Sequence, residues 1–173
     1  MEQTLIIIKP DAIQRGLVGE IITRFERVGL KIVGMKMVEP TAEQYHEHYE
    51  KISKLISRRG KDVFDVNLDF MMLGPVIVFA LEGLGAVELV RKMVGGTEPA
   101  SAQPGTIRGD YSHVSFSHAN SVGTGIPNIV HASGDAKEAA EEVKLWFGEE
   151  ELYGYVSAHE HYTQPTSPYK KHK

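Results

Sequence analysis

His131 lies in the run Asn128-Ile129-Val130-His131-Ala132-Ser133-Gly134-Asp135, which delivers one imidazole to the mouth of a helix. A neutral imidazole is a competent nucleophile near neutral pH, because one ring nitrogen keeps a lone pair while the other donates a hydrogen bond that fixes the tautomer. A lone histidine at a strand end is nevertheless more often a satisfied structural group than a catalyst. Its chemistry therefore depends on what converges on it. Lys9, Arg91 and Arg108 each fall at the end of an element or in a loop, and singly each reads as a solvated charge. Together they could clamp a polyphosphate, since a nucleoside triphosphate carries roughly −4 and one Mg²⁺ leaves about −2 for fixed cations to meet. A charge pair at about 4 Å is worth about 4 kcal/mol at an effective dielectric of 20, before desolvation.

The elements that must position these groups follow from periodicity. Ile129 and Val130, entered through Pro127, read as a short strand. Asp135 with Glu138 reads as a helix start, with Ala136, Ala140, Val143 and Phe147 on one face, so His131 is expected at the junction, outside both elements. Upstream, residues 4–8 form an apolar strand stopped by Pro10-Asp11, which leaves Lys9 at its end. Val18, Ile21, Ile22, Phe25 and Val28 mark a helix closed by Gly29, and residues 31–38 a second strand with Val33, Met35 and Met37 on one face. Residues 41–72 read as helical but segmented, broken at Arg58-Arg59-Gly60. Residues 75–81 are a strand, and Leu84, Val87, Val90 and Val94 mark a helix whose other face carries Arg91 and Lys92. The stretch 97–112 is a long loop of the kind that is usually functional, and 112–127 permits a short hairpin without requiring one. Pro165, Pro168 and the lysines from Lys170 to Lys173 read as a frayed tail. This order suggests an α+β sandwich: a ferredoxin-like arrangement with a four-stranded antiparallel sheet and helices packed on it.

Composition narrows the function. The 173 residues fit one domain with an adequate core, read as 1–148 with a C-terminal extension over 149–173. A net charge of −4 gives no electrostatic case for sequence-independent nucleic-acid binding. Cysteine is absent, which removes disulfides, thiol catalysis and cysteine-rich zinc sites and suits a reducing cytoplasm. The apolar run at residues 5–8 is too short for a signal core or a membrane span.

Other candidate motifs fail on their own chemistry. Gly60-Lys61-Asp62 lacks the hydroxyl and the upstream glycine of a phosphate-binding P-loop. Gly123-Thr124-Gly125 lacks the third glycine and the helix of a dinucleotide fingerprint. His46 with His48, or His159 with His161, could share a metal, but residues two apart on a helix point to different faces, so both pairs read as solvated surface.

Several separated blocks, in order, resemble nucleoside diphosphate kinase. Ile8-Lys9-Pro10-Asp11, the run from Gln14 to Ile22, and Arg24-Phe25-Glu26 look like that family's opening strand and helix. Gly96-Thr97, Pro99-Ala100 and the run from Pro104 to Asp110 resemble its signature loop, and Asn128 to His131 with Ser133 its active-site motif. The resemblance implies a Mg²⁺-dependent ping-pong transfer in which Nδ1 of His131 takes the γ-phosphoryl group of a nucleoside triphosphate and passes it to a nucleoside diphosphate. It implies that Lys9 and Asn128 meet the ribose hydroxyls, with Lys9 also near the γ-phosphate, and that Arg91, Thr97 and Arg108 hold the phosphates. It places Tyr49 beside the histidine and has Ser133 and Glu142 orient the ring. The Mg²⁺ is carried by the nucleotide rather than held by the protein, and the assembly is a homo-oligomer, a hexamer or tetramer, with the Pro99 loop near subunit contacts.

This chain departs from the family pattern in three places. Ala132 stands where the family usually has glycine and would oppose a positive φ, although alanine is expected to be tolerated. Two insertions, between Tyr49 and Gly74 and between Ser112 and Pro127, obscure the residues that sandwich the base; Phe64 is a guess at one of them, and the second insertion is expected to alter nucleotide affinity. The competing readings are a nucleotide-binding scaffold that has lost turnover and a ligand sensor built on the same architecture.

Overall fold

Residues 5–8 are apolar on both faces because their strand lies inside the sheet. In the computed structural model, which describes residues 1–163, β1 (Glu2–Ile8) pairs antiparallel with both β3 (Val76–Gly83) and β4 (Val130–Ala132), and β2 (Lys31–Val38) pairs antiparallel with β3. The sheet order is β2-β3-β1-β4, so the expected four-stranded antiparallel α+β sandwich is what forms. Alternate β1 residues feed two cores. Leu5 and Ile7 join Tyr45, Met71, Val78 and Trp146 on one face, while Ile6 and Ile8 join Ile21, Phe25, Phe79 and Val90 on the other.

The second face is covered by α1 (Pro10–Gln14), α2 (Val18–Arg27) and α6 (Ala86–Val94). The first is covered by α3 (Ala42–His46), a π-helical turn (Glu47–Ile52), α4 (Leu55–Arg59), α5 (Lys61–Met71) and α9 (Ala136–Trp146). The expected break falls at Gly60, whose φ of 96° ends α4 and opens α5. In the 97–112 stretch the chain makes a 3₁₀ turn (Pro99–Ser101) and α7 (Ile107–Tyr111), capped by the Thr106 hydroxyl.

Three sequence expectations are corrected here. Residues 112–127 contain α8 (Phe116–Ser121), capped by Ser115, instead of a hairpin. In α9 the buried face is Ala139, Glu142, Val143 and Trp146, while Ala136 and Ala140 are exposed. A bulge between Ile32 and Gly34 buries Val33 and leaves Met35 and Met37 exposed, so the three do not share a face.

Beyond Phe147 the chain crosses the start of β2. The Tyr153 amide donates to Val33 O at 2.7 Å and the Tyr155 hydroxyl to Ile32 O at 2.9 Å. Buried Lys31 is bound by Glu82 and by Glu160 of α10 (Glu160–Thr163). His159 and His161 are exposed, as expected. The tail from Pro165 to Lys173 lies outside the described residues. Among the described residues no helix is long and apolar enough to cross a membrane.

Candidate active site

The ends of β1 and β4 lie side by side, with Ile8 opposite Val130 and Ile7 opposite His131, and this brings the two distant sequence blocks together. Lys9 follows β1 directly, and its amide donates to Ile129 O at 2.9 Å. The Asp11 carboxylate accepts from the Ile129 amide at 3.1 Å. Between these two bonds Ile129 takes φ of 75°, a left-handed backbone in a fully buried β-branched residue. His131 is therefore inside β4, not outside it, and Ala132 follows it in the same strand without a positive φ. A glycine is therefore not required there for its backbone freedom.

Behind His131 stands a closed polar set. Its Nε2 lies 3.0 Å from Glu142 Oε1, while Glu142 Oε2 accepts from the Ser133 hydroxyl at 2.6 Å and Ser133 Oγ accepts from the Leu5 amide at 3.1 Å. Burial works against a charged Glu142, but His131, His48 and Ser133 outweigh it and hold the carboxyl at a pKa of about 2. With Nε2 bound to Glu142, no hydrogen bond among the described residues engages Nδ1, and the ring lines a cleft of about 590 Å³.

The cleft collects the expected residues. Lys9, Arg91, Thr97, Arg108 and Asn128 all line it with His131, and so does Tyr49, whose ring centroid is 6.0 Å from that of His131. Lys9 is 5% exposed; burial lowers its pKa to about 8, Asp11 opposes that, and Arg108 adds to it. Arg108 donates to three backbone carbonyls, those of Asn128, Gly95 and Val130, at 3.2, 3.0 and 2.7 Å. A guanidinium has five N–H donors, so two remain for a ligand. Burial, followed by the nearby Arg91, lowers its pKa to about 10. The Asn128 amide donates to Thr97 O at 2.9 Å, and its buried Oδ1 has no partner among the described residues.

Two expectations fail and several residues were missed. Phe64 lies in the core against Tyr45 and Tyr49, with its ring near His46, and does not line the cleft. The second insertion supplies Phe116, Asn120 and Ile126 to that wall instead, and the first supplies Arg58, Arg59 and Val63. His48 is not surface. It is fully buried, accepts from Trp146 Nε1 at 3.2 Å, and meets the His131 ring at a centroid distance of 4.4 Å. The signal that could have found it is its position three residues after Tyr45 and one before Tyr49, which puts it on the apolar side of that helical stretch. His48, His131 and Glu142 bring ligand atoms within 4.8 Å of one another, but they are engaged with protein partners, His48 Nδ1 with the Trp146 indole and His131 Nε2 with Glu142.

The comparisons with known proteins agree with this geometry. The nucleoside diphosphate kinase family model matches residues 2–152. The nucleoside diphosphate kinase of Pyrococcus furiosus is 50% identical over 159 residues, covering 91% of this chain and 90% of that one. That of Borreliella burgdorferi is 41% identical over 157 residues, covering 90% and 92%. Among solved structures, a transition-state mimic of the Borrelia burgdorferi enzyme with bound vanadate and ADP superposes with a TM-score of 0.88 at 40% identity, covering 92% of this chain and 94% of that one. The Halobacterium salinarum enzyme in complex with CDP gives 0.79 at 36% identity, covering 93% and 97%. With His131, the cations and the sheet ends all in one cleft, and the family model and relatives matching most of its length, the chain belongs to the nucleoside diphosphate kinase family of phosphotransferases.

Proposed function

We propose that this chain transfers the γ-phosphoryl group of a nucleoside triphosphate to a nucleoside diphosphate through a phosphohistidine at His131. The observation that carries this reading is the division of the His131 ring, with Nε2 bound to Glu142 and Nδ1 free on a cation-lined cleft. In the first half-reaction the Nδ1 lone pair forms a bond to the γ-phosphorus, and the bond from that phosphorus to the β-phosphate oxygen breaks. The diphosphate leaves with the electron pair, while the Nε2 proton stays on its bond to Glu142. In the second half-reaction a terminal oxygen of the incoming diphosphate attacks the same phosphorus, and the imidazole leaves neutral. Little covalent chemistry is asked of the protein beyond positioning and charge stabilisation.

Lys9, Arg91 and Arg108 meet the phosphates, together with the Thr97 hydroxyl. Asn128, with its unspent Oδ1, and Lys9 address the ribose hydroxyls. Glu138 is the one carboxylate lining the cleft among the described residues, and it already accepts from the Gly134 amide and faces Arg58. That donor set fits a Mg²⁺ ion held by the nucleotide phosphates, with no direct protein ligand; when bound, it would neutralise part of the phosphate charge. The same reading includes a homo-oligomer, hexamer or tetramer, and a cytoplasmic setting. Exposed Met35 and Met37 on edge strand β2 and the absence of cysteine support these.

Exchange between ATP and GDP, measured alongside labelling from γ-labelled ATP, tests the reading. Wild type should give an acid-labile, base-stable phosphoenzyme, and His131→Asn should lose both label and exchange. ADP binding without exchange in the wild type would leave a non-catalytic scaffold as the answer.

A further inference from the structure

We infer that His48 is a positioning residue for His131: Trp146 holds it as a neutral imidazole, which leaves the Glu142 carboxylate to His131 alone. The inference rests on the transfer reaction proposed above. An indole N–H can only donate. Because Trp146 Nε1 bonds His48 Nδ1, that nitrogen is the unprotonated acceptor and the ring proton resides on Nε2. Nε2 is buried with no partner among the described residues. Such an orphan destabilises the fold, a penalty that a phenyl ring of similar shape would not incur. Packing alone does not account for an imidazole here.

Glu142 Oε1 stands between two imidazoles, 3.0 Å from His131 Nε2 and 3.6 Å from His48 Nδ1. A proton on His48 Nδ1 would let that ring donate to the same oxygen and draw the carboxylate away from His131. The Trp146 donor occupies the lone pair where the proton would sit. His131 then keeps its Nε2 proton on Glu142 and its lone pair on Nδ1, the arrangement that attack on phosphorus requires. The two rings meet edge to face at 76°, so an uncharged His48 also walls His131 against rotation.

The groups facing His48 are His131 from β4, Glu142 and Trp146 from α9, Lys9 from the end of β1, and Tyr49 from its own turn. Burial, then His131, then Lys9 oppose its protonation, and only Glu142 favours it.

The test combines two variants with one measurement on the unmodified protein. Trp146→Phe frees Nδ1 of His48 to take a proton. Single-turnover phosphorylation of His131 by ATP should then fall about tenfold near pH 6 and less than about twofold near pH 8.5, with KM for both nucleotides unchanged. Adding His48→Phe removes the competing proton acceptor, so the double variant should regain the wild-type pH profile. A loss in Trp146→Phe that is independent of pH, or a double variant whose profile stays displaced, would overturn the inference. Imidazole-nitrogen NMR on the wild type decides the point even if Trp146→Phe does not fold: His48 should remain in the neutral Nε2–H form from about pH 5 to 8. A proton on Nδ1 near pH 6 would overturn it. Absence of exchange in the wild type would count against the proposed function instead, whereas normal wild-type exchange with an unmoved Trp146→Phe profile would count against this inference alone.

Discussion

The two sides of the His131 ring differ in how far their polar atoms are satisfied. Behind the ring, Leu5, Ser133 and Glu142 form a continuous set of hydrogen bonds that ends on Nε2. In front, Lys9, two N–H groups of Arg108 and the Oδ1 of Asn128 hold hydrogen-bonding capacity that is unspent among the described residues. The Leu5–Ser133–Glu142 set is satisfied without a ligand and so fixes the His131 ring. The front stores an unfavourable burial of positive charge, which under the proposed function an incoming polyphosphate would relieve, exchanging part of the chain's stability for affinity.

Arg108 belongs to both sides, and removing its geometry should have the largest effect. Arg108→Lys keeps the charge but loses the fork that holds three carbonyls. Exchange kcat/KM should fall about 100-fold or more, with about 2–3 kcal/mol of stability lost in denaturant unfolding. An equal loss of activity with unchanged stability would separate the two roles.

Lys9→Met should act with opposite signs on the two properties. Burial lowers the folded pKa from 10.5 to about 8, so below pH 8 the charged amine costs the fold free energy, and that cost lifts as pH rises from 8 to 10.5. The variant should bind ATP poorly yet unfold later near pH 7, by about 2 kcal/mol or roughly 5 °C in Tm. A lower Tm would show that the front is not under this burden.

The rear should fail in acid. With a folded pKa of about 3 against 6.5, His48 contributes stability that is complete above pH 6.5 and lost as pH falls toward 3. Glu142, at about 2 against 4.5, contributes stability that is complete above pH 4.5 and lost toward 2. Calorimetry across this range should show Tm declining from about pH 6.5 downward, and His48→Phe should flatten the upper part of that decline. Ala132→Gly should change least: exchange within about twofold, and about 0.5–1 kcal/mol of stability lost to the extra backbone freedom of glycine in a strand. Faster exchange would indicate that the methyl group hinders the site.

The front of the site was legible in the sequence because its residues sit at element ends. Lys9 precedes a proline, Arg108 lies among turn residues, and His131 follows a β-branched pair, so local chemistry points to each. The fold class followed from the same periodicity. The rear was only half legible. Ser133 and Glu142 came from family resemblance, and His48 was misplaced because a histidine next to Glu47 and two residues before Glu50 looks solvated until Trp146, 98 positions later, packs onto it. The bulge in β2 and helix α8 were likewise set by tertiary packing. Gly125, for example, lies so close to Phe70 and the Val66 carbonyl that a Cβ would not fit, and no periodicity reports such a constraint.

The backbone at Ile129 ties these two histories together. A buried β-branched residue with φ of 75° costs on the order of 1–3 kcal/mol, and the bonds that hold it come from the segment at Lys9 and Asp11, not from its own neighbours. The peptide just ahead of His131 is thus wedged open by the first turn of the molecule. Under the proposed function, a nucleotide that shifts Lys9 by pulling on its amine would tug on the same clasp that aims the histidine, so substrate capture and alignment of the reacting nitrogen would share one mechanical linkage.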